Sequence, residues 1–224
     1  MDTPRLRKKR LRKKRLVVIA GPSCSGKSWI IGGISSKTNA RFIEKIKGRC
    51  KIKRRISSNK LCLASLRKNY AKATLDQRLK RGGFLHFDIT GRHQKLKRSI
   101  LDQLIHHADQ VIVLNVVMGF DQWIAANAQR MRDEPERSIS SFVKGMLKLH
   151  ARDALAARQC YSYLFDHWQE HLAAYPVFRS IAVDSRQAQF VDLADRERLG
   201  LVEMTPLQLF WLRFRYMRLL SKLA

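Results

Sequence analysis

Apolar residues along this chain occur in two rhythms. Short, largely apolar runs appear at Leu16–Ala20 (LVVIA), at Phe84–Phe87 ahead of Asp88, at Val111–Val117 (VIVLNVV) and at Val177–Val183 (VFRSIAV). Runs of that length, rich in β-branched residues and bounded by turn formers, predict strands. Residues 40–46 (ARFIEKI) supply one more, shorter strand after a turn at Thr38-Asn39. The longer stretches between them are amphipathic at helical spacing. Helices are predicted from Lys27 to about Ser35, over 60–80, over 92–108, over Gln122–Gln129, over about 139–172 and from Pro206 to Ala224. The run Val111–Val117 is continuous and uncharged, as a strand covered on both faces requires. Strands alternating with helices predict an α/β domain with a parallel sheet.

Charge changes the picture at two places. The chain of 224 residues carries a formal net charge of +27. Residues 1–15 contribute +8, residues 16–40 add +2 and residues 41–81 contribute +13, so residues 82–224 carry only +4. The first stretch, with its RLRKK tandem, has too little apolar content to bury a face and reads as a disordered arm. It is either a solvated tail or a surface for polyanions, nucleic acid or anionic lipid among them. The domain proper then spans 16–203, and 204–224 forms an amphipathic C-terminal helix. No run of about 18 apolar residues occurs, so no transmembrane segment is expected. The N-terminus lacks an apolar signal segment, and Cys24, Cys50, Cys62 and Cys160 show no metal-like spacing; both point to a cytoplasmic protein with free thiols.

Candidate chemistry begins where the first strand ends. Gly21-Pro22-Ser23-Cys24-Ser25-Gly26-Lys27-Ser28 is a full GxxxxGK[ST] match between a strand and a helix. Its glycines let the backbone wrap a phosphate, Lys27 reaches the β- and γ-phosphates, and the Ser28 hydroxyl is suited to Mg²⁺. Asp88, at the tip of an apolar strand, either holds Mg²⁺, directly or through water, or caps the turn that follows. After the central strand, a helix leads to Arg130 and Arg132, then to Pro135 among mixed charges, which reads as a mobile connection.

This order of GPSCSGKS, a strand ending in Asp88, and a helix leading to Arg130 and Arg132 resembles the P-loop kinases of small molecules, the nucleoside monophosphate, gluconate, shikimate and adenylylsulfate kinases. The loop is most similar to that of guanylate kinases, although the acceptor-binding signatures of that branch are not evident. The resemblance covers about residues 16–190 and implies a three-layer P-loop NTPase fold. Such a fold has about five parallel strands, helices on both faces and a small lid at about residues 130–140. It implies ATP and Mg²⁺ as cofactors and phosphoryl transfer to a small, anionic metabolite or nucleotide. Residues 21–28 would bind the nucleotide, Ser28 and Asp88 the metal, and Lys27, Asp88, Arg130 and Arg132 would act in catalysis, with Arg137 a further lid candidate. Asp88 is also the candidate base for the acceptor hydroxyl. The loop after the last strand, Val183-Asp184-Ser185, is similar to the one flanking the adenine base.

Other readings stay open. His167-Trp168-Gln169-Glu170-His171 matches HxxEH, a zinc-hydrolase pattern. The basic arm and the 41–81 segment would also suit a nucleotide-gated factor that grips nucleic acid or an anionic membrane. The helix from Pro206 would dock on the sheet, on a partner or on a membrane surface.

Overall fold

A computed structural model describes residues 13–32, 37–50, 60–61, 72–91, 94–136 and 139–222. The sheet is built around β1 (Arg15–Gly21), which pairs in parallel with β3 (Gly83–Asp88) on one side and β4 (Gln110–Val117) on the other. Outside β3 lies β2 (Lys60–Leu61), and outside β4 lies β5 (Arg179–Asp184), both parallel. A short β6 (Gln189–Val191) closes the β5 edge in antiparallel sense, giving the order β2-β3-β1-β4-β5-β6. The helices are α1 (Lys27–Gly32), α2 (Lys37–Arg49), α3 (Lys72–Lys80), α4 (Gln94–His106), α5 (Phe120–Asp133), α6 (Ser141–Arg152), α7 (Ala154–Ala173), α8 (Pro206–Arg215) and α9 (Met217–Leu220).

Strand alternation sorts the side chains of β1 between two cores. Val17 and Ile19 join Ile30 of α1 and Phe42, Ile43 and Ile46 of α2. Leu16, Val18 and Ala20 join α4, α5 and α7 through residues such as Leu101, Trp123 and Trp168. Helices therefore cover both faces, and β1 and β4 are apolar along nearly their whole length because neither face meets water. The exception in β4 is Asn115, whose amide donates to Ser180 Oγ at 3.0 Å while its oxygen accepts from Trp168 Nε1 at 2.9 Å. A buried amide with both ends partnered fixes the register of β5 and α7 at little cost.

Several expected elements shift. Residues 40–46 are helical, not a strand: Phe42, Ile43, Ile46 and Cys50 are buried while Arg41, Glu44 and Lys45 face water, a period of 3.6 rather than 2. Thr38-Asn39 accordingly lies within α2 instead of a turn. The predicted helix over 60–80 begins as strand, since Lys60 and Leu61 pair with Phe84 and Leu85, and is helical again over α3; residues 62–71 lie outside the described set. Helix α5 runs on to Asp133, so Arg130 and Arg132 belong to its last turn and not to a mobile connection. The rest of the expected lid is divided, with Arg137 outside the described residues. The last parallel strand starts at Arg179 rather than Val177, and the C-terminal helix breaks at Tyr216 into α8 and α9.

Most of the basic arm, and residues 51–59 and 62–71 of the basic 41–81 segment, also lie outside the described residues. The arm's last members do not: the Lys14 backbone pairs with Asp109, and Arg15 already belongs to β1. The sheet thus begins at the final residue of the expected arm.

Candidate functional site

Parallel strands bring the carboxyl ends of β1, β3, β4 and β5 to one edge of the sheet, where α/β folds place ligands. The segment 21–28 leaves β1 at this edge and turns sharply. Two of its residues adopt the left-handed region, Cys24 at φ 62° and Gly26 at φ 89°. Gly21 packs so closely on β4 that a Cβ would collide with the Val116 carbonyl. At Gly26 a Cβ would collide with the Ser185 hydroxyl. Gly26→Ala is therefore doubly penalised, by backbone strain and by displacement of the 184–186 loop. It should lower stability by about 2 kcal/mol, read as a lower urea midpoint at an unchanged slope.

Three elements hold the loop from outside. From the end of β3, the Ser23 N–H donates to Thr90 Oγ1 at 2.8 Å, and Ser23 Oγ donates to Asp88 Oδ2 at 3.0 Å. From α5, Trp123 Nε1 donates to the Ser23 carbonyl at 2.9 Å. After β5, Ser185 Oγ donates to the Ser25 carbonyl at 2.6 Å, while Asp184 accepts the N–H groups of Arg186 and Gln187 and so shapes that turn. Inside the loop, the Lys27 ammonium donates to the carbonyls of Gly21, at 2.9 Å, and Pro22. Pro22 is buried and Ser28 is exposed.

Electrostatics sharpen the picture. Burial pushes the Lys27 ammonium below its ordinary pKa, and the Asp88 carboxylate pulls it back part of the way. Burial alone would raise the Asp88 pKa; the Lys27 charge and hydrogen bonds from Thr90 and Ser23 overcome it and hold the carboxyl below the usual range. Asp88 is thus ionised at neutral pH. Its Oδ1 accepts both the N–H (2.9 Å) and the hydroxyl (2.7 Å) of Thr90, and its Oδ2 accepts Ser23, which leaves lone-pair capacity on Oδ2. The cap reading and the metal reading of Asp88 are therefore compatible: one oxygen shapes the turn and the other faces the loop.

Arg130 reaches the loop, with Nη1 donating to Cys24 Sγ at 3.6 Å and Nε 3.5 Å from Glu134. Arg132 does not: its guanidinium is exposed and donates to Gln129 on its own helix at 2.8 Å. In its place stands a cation that the sequence reading passed over, Lys97 of α4. Its amine lies over Gly91, where a Cβ would collide with it, and its pKa is lowered by burial and raised by Asp88. Gln94 braces the same turn, donating to the carbonyls of Asp88 and Gly91, each at 2.8 Å. Lys97 sits three residues after Gln94 on a helix already read as amphipathic, so its place in the first turn of the helix that follows a strand-end acid is the one signal available. Lys27, Lys97 and Arg130 stand against two carboxylates, Asp88 beside the loop and Glu134 beside Arg130, which leaves a positive excess suited to an anion.

The HxxEH histidines both face α4 and are engaged there. His167 Nε2 lies 2.8 Å from Arg98 Nη1, and His171 Nε2 lies 3.4 Å from Asp102. Among the described residues no cluster of three or more His, Cys, Asp or Glu side chains is arranged to hold a metal ion. Likewise among these residues, no helix is long and apolar enough to cross a membrane. Comparison of the chain with protein-family models, with curated proteins and with solved structures gave no match.

Proposed function

We propose that the chain is a P-loop phosphotransferase, an ATP-dependent kinase of a small anionic metabolite or nucleotide, working in the cytoplasm. The observation that carries this reading is the convergence of Lys27, Lys97 and Arg130 with ionised Asp88 on a loop that has the GxxxxGK[ST] sequence and two left-handed residues. The buried Ser25 hydroxyl, which has no hydrogen-bond partner among the described residues, adds a polar group poised for a ligand. The donor set also fits Mg²⁺: an exposed Ser28 hydroxyl, and an Asp88 carboxylate with one oxygen not fully engaged, suited to contact through water. Bound there, the ion would neutralise phosphate charge.

The residues then divide the work. Lys27 gives up a carbonyl contact to meet the phosphates. Arg130 approaches from α5 and offsets charge on the phosphoryl group in flight. Lys97 and Asp88 face the same space from the β3–α4 turn, the cation drawing an anionic acceptor and the carboxylate orienting its hydroxyl. An acid held below the usual carboxylate range is a weak base, so Asp88 contributes mainly by orientation and charge.

The test supplies the full chain with ATP, Mg²⁺ and a panel of hydroxyl-bearing phosphorylated and carboxylated small molecules, and follows ADP and phosphorylated product. Acceptor-stimulated transfer that EDTA abolishes is the expected result. ATP binding with no acceptor stimulation would favour a nucleotide-gated binding factor instead. The two arginines provide an internal contrast. Arg130→Ala should lower kcat by roughly a hundredfold with a smaller effect on KM for ATP, whereas Arg132→Ala should stay within about twofold of the parent. Equal losses from both substitutions would return Arg132 to the site.

A further inference from the structure

Helix α8 carries two apolar faces, and the core uses only one. Its N-terminus is firmly specified: Pro206 opens the helix, the Thr205 hydroxyl accepts from the Gln208 N–H, and the Gln208 side chain accepts from the Thr205 N–H. The inner face buries Leu212, half-buries Leu209, and continues into Tyr216, whose hydroxyl lies 3.4 Å from Asp153. That face anchors the element on α6 and α7. The outer face is left to solvent, with Leu207 65%, Phe210 59%, Trp211 52%, Phe214 68% and, at the start of α9, Met217 68% exposed. The spacing of 207, 210, 211 and 214 puts them on one arc about 100° wide. Phe210, Trp211 and Phe214 already pack edge to face, at 5.6 and 6.0 Å between centroids, so they form a preassembled ridge. Monomeric proteins rarely expose so continuous an apolar surface without using it.

The charges say what covers it. On the helical projection Arg215 flanks the apolar arc, Arg213 lies toward α7 with its guanidinium 5.1 Å over the Tyr163 ring, and Arg218 follows on α9; all three are exposed. From Met204 to Ala224 the chain has Arg213, Arg215, Arg218 and Lys222 and no Asp or Glu. A symmetric pairing of two copies through this face would bring those cations together without a counter-ion. An anionic lipid surface accepts both features, aromatic and aliphatic side chains entering the acyl boundary while arginines extend to the phosphates. We propose that the outer face of α8 is a bilayer-contacting surface that seats the protein on anionic phospholipid.

The test uses the full chain with vesicles of phosphatidylcholine and phosphatidylglycerol whose acyl chains carry bromine, which quenches tryptophan at short range. Anionic vesicles should quench the fluorescence, pure phosphatidylcholine vesicles should do so far less, and Trp211→Phe should remove the quenching. The pair Phe210→Ser and Phe214→Ser keeps every charge and touches no buried side chain. It should weaken vesicle binding at moderate salt by about 30-fold or more with an unchanged melting temperature. A chain lacking residues 1–12 should keep the Trp211-dependent quenching. Vesicle binding without that quenching would overturn the proposal, leaving adhesion by charge alone. A dimer in sedimentation equilibrium that the Phe210→Ser/Phe214→Ser pair dissolves, with no quenching by lipid, would overturn it in favour of a second copy.

Discussion

Lys27→Met should cut nucleotide turnover by roughly a thousandfold or more while leaving the melting temperature within a few degrees of the parent. The first half rests on position. The ammonium is buried at the centre of the 21–28 loop, where a phosphate charge would be met with little competition from water. The second half rests on bookkeeping of hydrogen bonds. Methionine nearly matches the lysine stem in volume, and the carbonyls that lose the ammonium keep other donors: the Gly21 oxygen accepts from the Ile89 N–H at 3.1 Å, and the Pro22 oxygen from the Ser25 N–H at 3.3 Å. No buried acceptor is orphaned and a charge that burial disfavours is removed, while the Asp88 carboxylate, which loses its Lys27 partner, keeps the hydrogen bonds from Thr90 and Ser23 and the nearby Lys97 charge, so the net loss is limited. ADP release and a thermal melt on the same preparation check both halves. Full turnover in the variant would move the chemistry away from this loop altogether.

What could be read in the sequence follows from how local each signal is. The loop is contiguous, so all of its residues were visible in one string, and the glycine requirements at Gly21 and Gly26 have counterparts in the close approaches to Val116 and Ser185. Asp88 was visible because an apolar run ended on it. Trp123, Thr90, Ser185 and Lys97 were not, since each acts on the loop across 67 or more positions, or through a carboxylate on another strand. Such contacts depend on strand order, and β2-β3-β1-β4-β5-β6 is not written in any local pattern. The misread second strand has the opposite cause. Phe42, Ile43 and Ile46 fit a helical stripe as well as a short apolar run, and only burial against β1 and β4 decides between them. Arg132 failed for a similar reason: two residues from Arg130 is about 200° around a helix, so both cannot face one loop once α5 extends through them.

Asp88→Asn should remove Mg²⁺ stimulation of turnover and, at neutral pH, lower stability by roughly 2 kcal/mol. The amide can still accept from the Thr90 N–H and hydroxyl, and Ser23 Oγ can rotate to accept from it, so the turn after β3 keeps its shape. What disappears is the negative charge that Lys27 and Lys97 share. The pH dependence separates that loss from a packing defect. Although burial opposes ionisation, the folded-state pKa of Asp88 is net lowered, so its contribution is fully present above the unfolded value of about 3.9 and is lost as pH falls through the folded value. The stability difference between the two proteins should therefore be level from about pH 5 to 8 and shrink as pH falls from about the unfolded value of 3.9 toward the lowered folded value. Urea titrations of both proteins across that range measure it. A difference that persists unchanged into acid would mean that Asp88 is there for its shape, and that Lys27 draws its balance of charge from elsewhere.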